Sequence, residues 1–405
     1  MNQPKNRELS ASQQTLIGLL AKSVFHADFM PEHDSDWAAV LEEAIHQTVF
    51  PQVYAAAKED LPADLRAAHG KRFFQSISKN LNVILAHGEI HRLLTENGVP
   101  YVILKGCASA EFYEEPTLRT MGDVDLYIRK EDLERVRQLL LADGYVQEVE
   151  DHPNHWAFRR DRIDAEVHWA VTGVPTADNE IILDYLKGLM ETASERTVGE
   201  TLMVLPDAFH HGLVMLLHMV SHMTAGGIGL RHLLDWLVFQ NSMSERDFLA
   251  CFEEPLKRIR LWRFVQVLAA VGERYYGCMP RAFGADVPEA LARSLVLDLF
   301  DAGNFGSKDA NRLNESKLLR NNETRQIDGK TGLRHLLSFI NQRARAAMPA
   351  AGKHPILLPV AWVKVLIKRR RDVKAGIQPK LRLKQTLDGA KARQSVYEQL
   401  RLFEE

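Results

Sequence analysis

Residues Ile163 to Val171 impose a period of two on a chain that is otherwise patterned mostly for helices. Ile163, Ala165, Val167, Trp169 and Val171 interleave with Asp164, Glu166, His168 and Ala170. Such alternation fits an extended strand with one face in a core, so Glu166 and His168 share its polar face. A second strand of this kind lies upstream, in Gly122-Asp123-Val124-Asp125-Leu126-Tyr127-Ile128. There Val124, Leu126 and Ile128 point into a core, while Asp123 and Asp125 share the other face, about 7 Å apart along the strand. Two carboxylates held side by side repel each other, and a hard divalent cation relieves that repulsion. Mg²⁺ or Mn²⁺ suits such a pair, taking its remaining ligands from waters and substrate phosphates. If the two strands are neighbours, Glu166 becomes the third carboxylate. Asp164 shares its face and is the competing choice. His168 either orients a carboxylate, touches substrate, or is a hydrogen-bonded strand histidine.

Helical periodicity brackets this stretch. Leu16, Leu19, Leu20 and Val24 follow a serine cap candidate, a second apolar helix spans Trp37–Ala57, and a third runs from Leu65 to Asn97-Gly98, a stop signal. Within the sheet region, Glu131–Asp143 reads as a helix closed by Gly144, and Tyr145–Val149 as a strand. The expected organisation is a helical region over 1–97, an α/β core over 98–205 and a helical domain over 206–302. A polar loop and helical segment follows over 303–359, then a basic arm over 360–405.

Composition narrows the class. An apolar fraction of 46% with 26% charged residues is that of a globular chain, and a formal net charge of −2 argues against a whole-molecule electrostatic trap for nucleic acid. Cys107, Cys251 and Cys278 are scattered and odd in number, so neither a disulfide framework nor a cysteine zinc site follows. Cys107 reads as a small packing residue. The first residues lack the apolar core of a signal peptide, and no apolar run is long enough to span a bilayer. The expected location is the cytoplasm, with the basic arm allowing a peripheral membrane position.

The ordered set Val102-Ile103-Leu104-Lys105-Gly106, Tyr113, Arg119, Asp123-Val124-Asp125, Gly144-Tyr145 and Glu166-Val167-His168-Trp169 resembles a known family. It is similar to bacterial proteins of the nucleotidyltransferase fold, within the DNA polymerase beta superfamily, in a poorly characterised branch that opens with Leu-Lys-Gly. Leu205-Pro206-Asp207, His218, His222, Gly227-Ile228-Gly229-Leu230-Arg231 and Asp235-Trp236 resemble the helical half of that branch. The resemblance covers roughly residues 80–240. It implies an α+β fold, a small mixed sheet flanked by N-terminal and C-terminal helical regions. It also implies two Mg²⁺ ions and transfer of a nucleoside monophosphate from a nucleoside triphosphate to a hydroxyl-bearing acceptor, with release of pyrophosphate. Carried over by position, Asp123, Asp125 and Glu166 hold metal and do the catalytic work. Lys105, Gly106, Ser109 and Arg119 would meet the nucleotide, with Arg231 as a further candidate. The chain departs from the superfamily after its first strand, where Gly106-Cys107 replaces the usual Gly-Ser or Gly-Gly and Ser109 comes later. Lys105 and Arg119 would then compensate with charge near phosphate oxygens.

Beyond residue 206, His218 and His222 sit four apart on one helix face. Met219 replaces the glutamate of a zinc protease, so interior hydrogen bonding is the leading role, with nucleotide or acceptor contact as the alternative. Arg231 and Asp235, also four apart, allow a local ion pair or an arginine turned toward phosphate. From Val360 to Ser395 eleven Lys/Arg residues face only Asp372 and Asp388. That segment suits an anionic membrane surface or nucleic acid, or is simply a solvated helix. Two other function classes fit the same residues. One is a nucleotide-binding regulator without turnover, and the other a membrane- or RNA-associated scaffold.

Overall fold

Local capping and breaking signals set the helices. In the computed structural model, which describes residues 7–148, 154–175, 179–309, 357–374 and 383–402 together with Arg312, Glu315, Asn341, Ala344, Arg345 and Met348, the first helix is α1 (Ala11–Phe25). Its start is a capping box: Ser10 Oγ accepts from Gln13 N, and the Gln13 side chain accepts from Ser10 N. The single helix expected over Trp37–Ala57 is two, α2 (Trp37–His46) and α3 (Phe50–Ala57). Thr48 between them takes a φ of 56°, and Pro51 lies in the first turn of α3, where its missing N–H costs nothing. Helix α4 (Ala63–Glu96) then runs for 34 residues and stops at Asn97-Gly98, as the sequence signals.

Five short strands follow: β1 (Val102–Ile103), β2 (Val124–Tyr127), β3 (Val146–Gln147), β4 (His155–Arg160) and β5 (Ile163–His168). They form one mixed sheet in the order β1-β2-β5-β4-β3, in which only β2 and β5 pair in parallel. The short helix α5 (Cys107–Ala110) follows β1. Helix α6 (Leu133–Ala142) links β2 to β3, and Gly144 at φ 88° turns the chain back to the sheet edge. Of the expected strand Tyr145–Val149, Val146–Gln147 form β3 at the sheet edge, and Val149 lies outside the described residues. After α7 (Glu180–Leu186) comes a separate hairpin, β6 (Ser194–Val198) and β7 (Thr201–Leu205), then α8 (Ala208–Ala225), α9 (Leu230–Asn241), α10 (Glu245–Arg258), α11 (Trp262–Tyr276) and α12 (Glu289–Ala302).

Two cores result. Under the sheet, Val124, Leu126, Ala165 and Val167 pack with Val83, Ile90 and Leu94 of α4 and Val136 and Leu140 of α6. The alternation thus places the predicted apolar faces inside, and truncating Leu126 to alanine would cost about 2–5 kcal/mol. In the second core, α1 to α3 pack with α8 to α12, so chain regions before and after the sheet meet in one body. The end of the chain forms α13 (Leu358–Lys374) and α14 (Leu383–Leu400). Helix α14 lies on α12: Arg393 is buried and donates to Met223 O at 2.9 Å, and Tyr397 Oη donates to the same carbonyl at 2.8 Å. Most of the polar stretch 310–340 lies outside the described residues. No helix of the described residues is long and apolar enough to cross a membrane.

Candidate active site

The pairing of β2 with β5 builds the site. Asp125 stands opposite Glu166 and Tyr127 opposite His168, with the apolar residues of both strands turned to the core. Asp123 precedes β2 on the polar side. The carboxylate oxygens of Asp123, Asp125 and Glu166 all lie within 4.8 Å of one another. Asp164, the competing choice, is drawn to Arg159 on β4 at 2.5 Å and is half exposed, so the third carboxylate of the cluster is Glu166. The loop that delivers Asp123 is clamped from α4. Buried Asn80 donates to Thr117 O at 2.7 Å and accepts from Met121 N at 2.9 Å.

Lys105 and His168 sit among these carboxylates. Lys105 Nζ lies 2.8 Å from Asp125 Oδ1. His168 Nε2 lies 2.9 Å from the same oxygen and 3.0 Å from Glu166 Oε2. His168 therefore takes the orienting role among the options the sequence left open. Burial opposes the charge on Asp125, but Lys105 and His168 outweigh it and hold this carboxyl well below the usual range. Glu166 is lowered likewise: burial raises it, and the His168 hydrogen bond wins. Burial would lower both Lys105 and His168, yet the neighbouring carboxylates raise both. Asp123 shows the residual strain. The Asp125 charge beside it, with burial, pushes it up to about 6. Negative charge is left over after Lys105 and His168 are counted, and a set of three converging carboxylates with excess negative potential fits a divalent, oxygen-preferring cation.

The cluster forms one wall of a cleft of about 800 Å³, closed on the other side by α8 and α9 and by Asn304 and Phe305. Gly106 lies at the cleft with φ 62°, a backbone conformation that favours glycine over any L side chain. Ser109 also lines the cleft, but it is buried and its hydroxyl meets Met215 Sδ at 3.5 Å. Cys107 is buried, and burial pushes its thiol up to about 12, as befits a packing residue.

Arg119 and Arg231 divide differently from the sequence expectation. Asp235 forms no ion pair with Arg231. It is bound instead by Arg119 in a two-pronged contact, Nε to Oδ1 at 2.8 Å and Nη2 to Oδ2 at 2.7 Å, and Tyr113 Oη donates to Oδ1 at 2.9 Å. A planar guanidinium matches a planar carboxylate, so α9 captures Arg119 as a buried strut. Arg231 reaches the cleft from the start of α9, donating to Thr120 O at 3.2 Å, while its buried Nε has no hydrogen-bond partner. Among the described residues it forms no ion pair, and burial together with Arg119 lowers its pKa from the ordinary arginine value. A guanidinium with no ion-pair partner and a free N–H at a cleft is a ready anion acceptor.

A family model described as an uncharacterised nucleotidyltransferase matches residues 33–277, from just before α2 to the end of α11. The chain belongs to this nucleotidyltransferase family. No curated protein matches it. The matched span of the nucleotidyltransferase includes the sheet, the carboxylate cluster and both helices that close the cleft, whereas α12 to α14 lie beyond it.

Two features of this nucleotidyltransferase escaped sequence reasoning. His155 faces the cleft from β4, directly opposite His168 across an antiparallel ladder, with ring centroids 4.8 Å apart. Its signal was the two-residue turn Asp161-Arg162, which pairs positions equally distant on either side. Phe305 sits at φ 55° beside the cleft, 4.5 Å from the His222 ring and 5.1 Å from His232. Nothing in the local sequence announces that placement.

Proposed function

We propose that this family member transfers a nucleoside monophosphate from a nucleoside triphosphate to a hydroxyl acceptor, with Mg²⁺ or Mn²⁺ held by Asp123, Asp125 and Glu166. The observation that carries the reading is the meeting of three carboxylates and Arg231, whose buried Nε has no hydrogen-bond partner, across one cleft. The cation would supply charge stabilisation to the attacking and leaving oxygens. The rest falls to the protein. Arg231 binds phosphate oxygens, and Lys105, within reach of all three carboxylates' fields, balances charge at the same end of the cleft. Gly106 lets the backbone approach the phosphates closely. Arg119 acts through Asp235 to hold α9, and hence Arg231, against the loop that carries Asp123. His168 keeps Asp125 and Glu166 in place, and Glu166 orients the acceptor hydroxyl. Phe305, packed at an angle on the His222 ring, offers an aromatic face for the base.

Calorimetric titration of the four common nucleoside triphosphates, with and without Mg²⁺, tests this reading. Binding should require the cation and should vanish in Asp123→Asn/Asp125→Asn. Full Mg²⁺-dependent transfer by that double variant would remove the site assignment.

A membrane-surface location for the acceptor is favoured by α13. Val360, Val363 and Ile367 expose a continuous apolar stripe, and Arg370 and Arg371 are exposed at its basic end. A stripe of this kind with basic residues beside it suits the headgroup region of an anionic bilayer. Flotation with phosphatidylserine vesicles, lost in Val363→Glu/Ile367→Glu and at high salt, is the expected result. Equal flotation of the variant would exclude it.

A further inference from the structure

The carboxylates of this cleft are shared with a second, nitrogen-rich donor set. His155, Glu166 and His168 present ligand atoms that all lie within 4.8 Å of one another. Both histidines are buried, and they come from neighbouring strands whose register places them face to face. His168 Nε2 stands 3.0 Å from Glu166 Oε2, and His155 Nε2 stands 3.7 Å from Glu166 Oε1. Ligand bonds of about 2.1 Å give polyhedron edges of about 3.0 Å for octahedral and about 3.4 Å for tetrahedral geometry. The two histidine–Glu166 spacings, 3.0 and 3.7 Å, span these edge lengths. Asp125 Oδ1, 2.9 Å from His168 Nε2, lies on the same scale. His168 meets both carboxylates through Nε2, and its buried Nδ1 has no hydrogen-bond partner.

We propose a second cation position on the β4 side of the cleft, held by His155, His168 and Glu166, that takes a nitrogen-preferring transition ion such as Co²⁺ or Zn²⁺ in preference to Mg²⁺. Two imidazoles are poor ligands for Mg²⁺ and good ones for borderline ions. Glu166 then belongs to both positions, with Oε2 beside His168, Oε1 beside His155 and its charge also felt by Asp123 and Asp125. The site deepens the functional reading through that shared carboxylate, but its ion chemistry stands on its own.

The test uses the full-length protein stripped with chelator and titrated with Co²⁺, read by visible d–d absorption and by calorimetry. Wild type should give a ligand-field spectrum, and His155→Gln should weaken Co²⁺ by tenfold or more and change that spectrum. His155→Phe, which keeps a ring against His168, guards against misfolding, with circular dichroism as the check. Asp123→Asn should keep the Co²⁺ spectrum while losing Mg²⁺-dependent nucleotide binding, so the two readings fail separately. An absent wild-type spectrum, or one unchanged in folded His155 variants, overturns the site and leaves His168 as a positioning donor alone.

Discussion

Asp125 and Glu166 stand directly opposite each other on the parallel β2–β5 ladder, and His168 two residues on reaches back to both. One register therefore sets the carboxylate separation and supplies the histidine that holds it. Slipping either strand by one residue would turn its acidic side chain into the core. The ladder thus links the hydrophobic alternation of the sequence directly to the site.

Asp123 is the member of the cluster that this arrangement does not satisfy. Its carboxyl is pushed up to about 6, first by the Asp125 charge and then by burial. The sign follows: stability is fully present below about pH 4 and is lost as pH rises through about 6. Asp123→Asn should therefore raise the unfolding free energy of metal-free protein at pH 7.5 by roughly 1–2 kcal/mol after solvent screening, and with it the unfolding midpoint. Mg²⁺ should stabilise wild type and not the variant. Differential scanning calorimetry with chelator and with Mg²⁺ reads both, and a variant less stable than wild type in chelator would contradict the repulsion argument.

Much of this site was legible because strand periodicity is local. The positions of Asp123, Asp125, Glu166 and the core-facing Val124, Leu126 and Val167 follow from alternation, and the family resemblance suggested that the two strands would be neighbours. The partner of Asp235 was not legible. Residues four apart on a helix made Arg231 the natural choice, yet Arg119, 116 positions away, offers two parallel hydrogen bonds in a buried setting. Pairings of that kind depend on how α9 docks against the loop before β2, which no window of sequence contains. The break between α2 and α3 was missed for a related reason, since Thr48 is not a residue that ordinarily signals a positive φ.

The Arg119–Asp235–Tyr113 cluster makes a prediction that separates a strut from a phosphate ligand. Removing one member of a buried charge pair costs about 3–5 kcal/mol, because the other charge is left uncompensated. Asp235→Asn should lower the urea midpoint accordingly, and Tyr113→Phe should cost about 1 kcal/mol for the lost hydrogen bond. Arg119→Met/Asp235→Leu should recover much of the loss. If Asp235→Asn left the midpoint unchanged, Arg119 would be free to serve substrate directly.

Buried neutral histidines make the fold acid-sensitive. His211 has no hydrogen-bond partner on either ring nitrogen, stacks on Phe112 at 5.4 Å, and burial lowers it to about 3. Burial lowers His87 to about 4 despite its bond to Val83 O. A histidine lowered in the fold supports stability above its unfolded value near 6.5 and loses that support as pH falls toward the folded value. Each such group removes up to about 1.4 kcal/mol per pH unit in that window. His211→Phe should flatten the fall in unfolding free energy between pH 6.5 and 4.5, and an unchanged slope would show that His211 protonates without penalty.

Phe305 is placed where a base would need a flat partner, and its backbone supports that reading. A φ of 55° is uncommon for a bulky side chain, and the ring stays partly exposed at the cleft, resting on His222 and under Arg231. Strain of this kind persists only where the surroundings hold it. Base stacking on an aromatic ring contributes about 1–3 kcal/mol. Phe305→Leu keeps apolar volume without a π face, so it should weaken nucleoside triphosphate binding by about fivefold or more while leaving inorganic triphosphate binding unchanged. Calorimetry with both ligands separates the two contributions. Equal weakening of both would mean that Phe305 supports Arg231 and the phosphate end of the cleft, and that the base lies elsewhere.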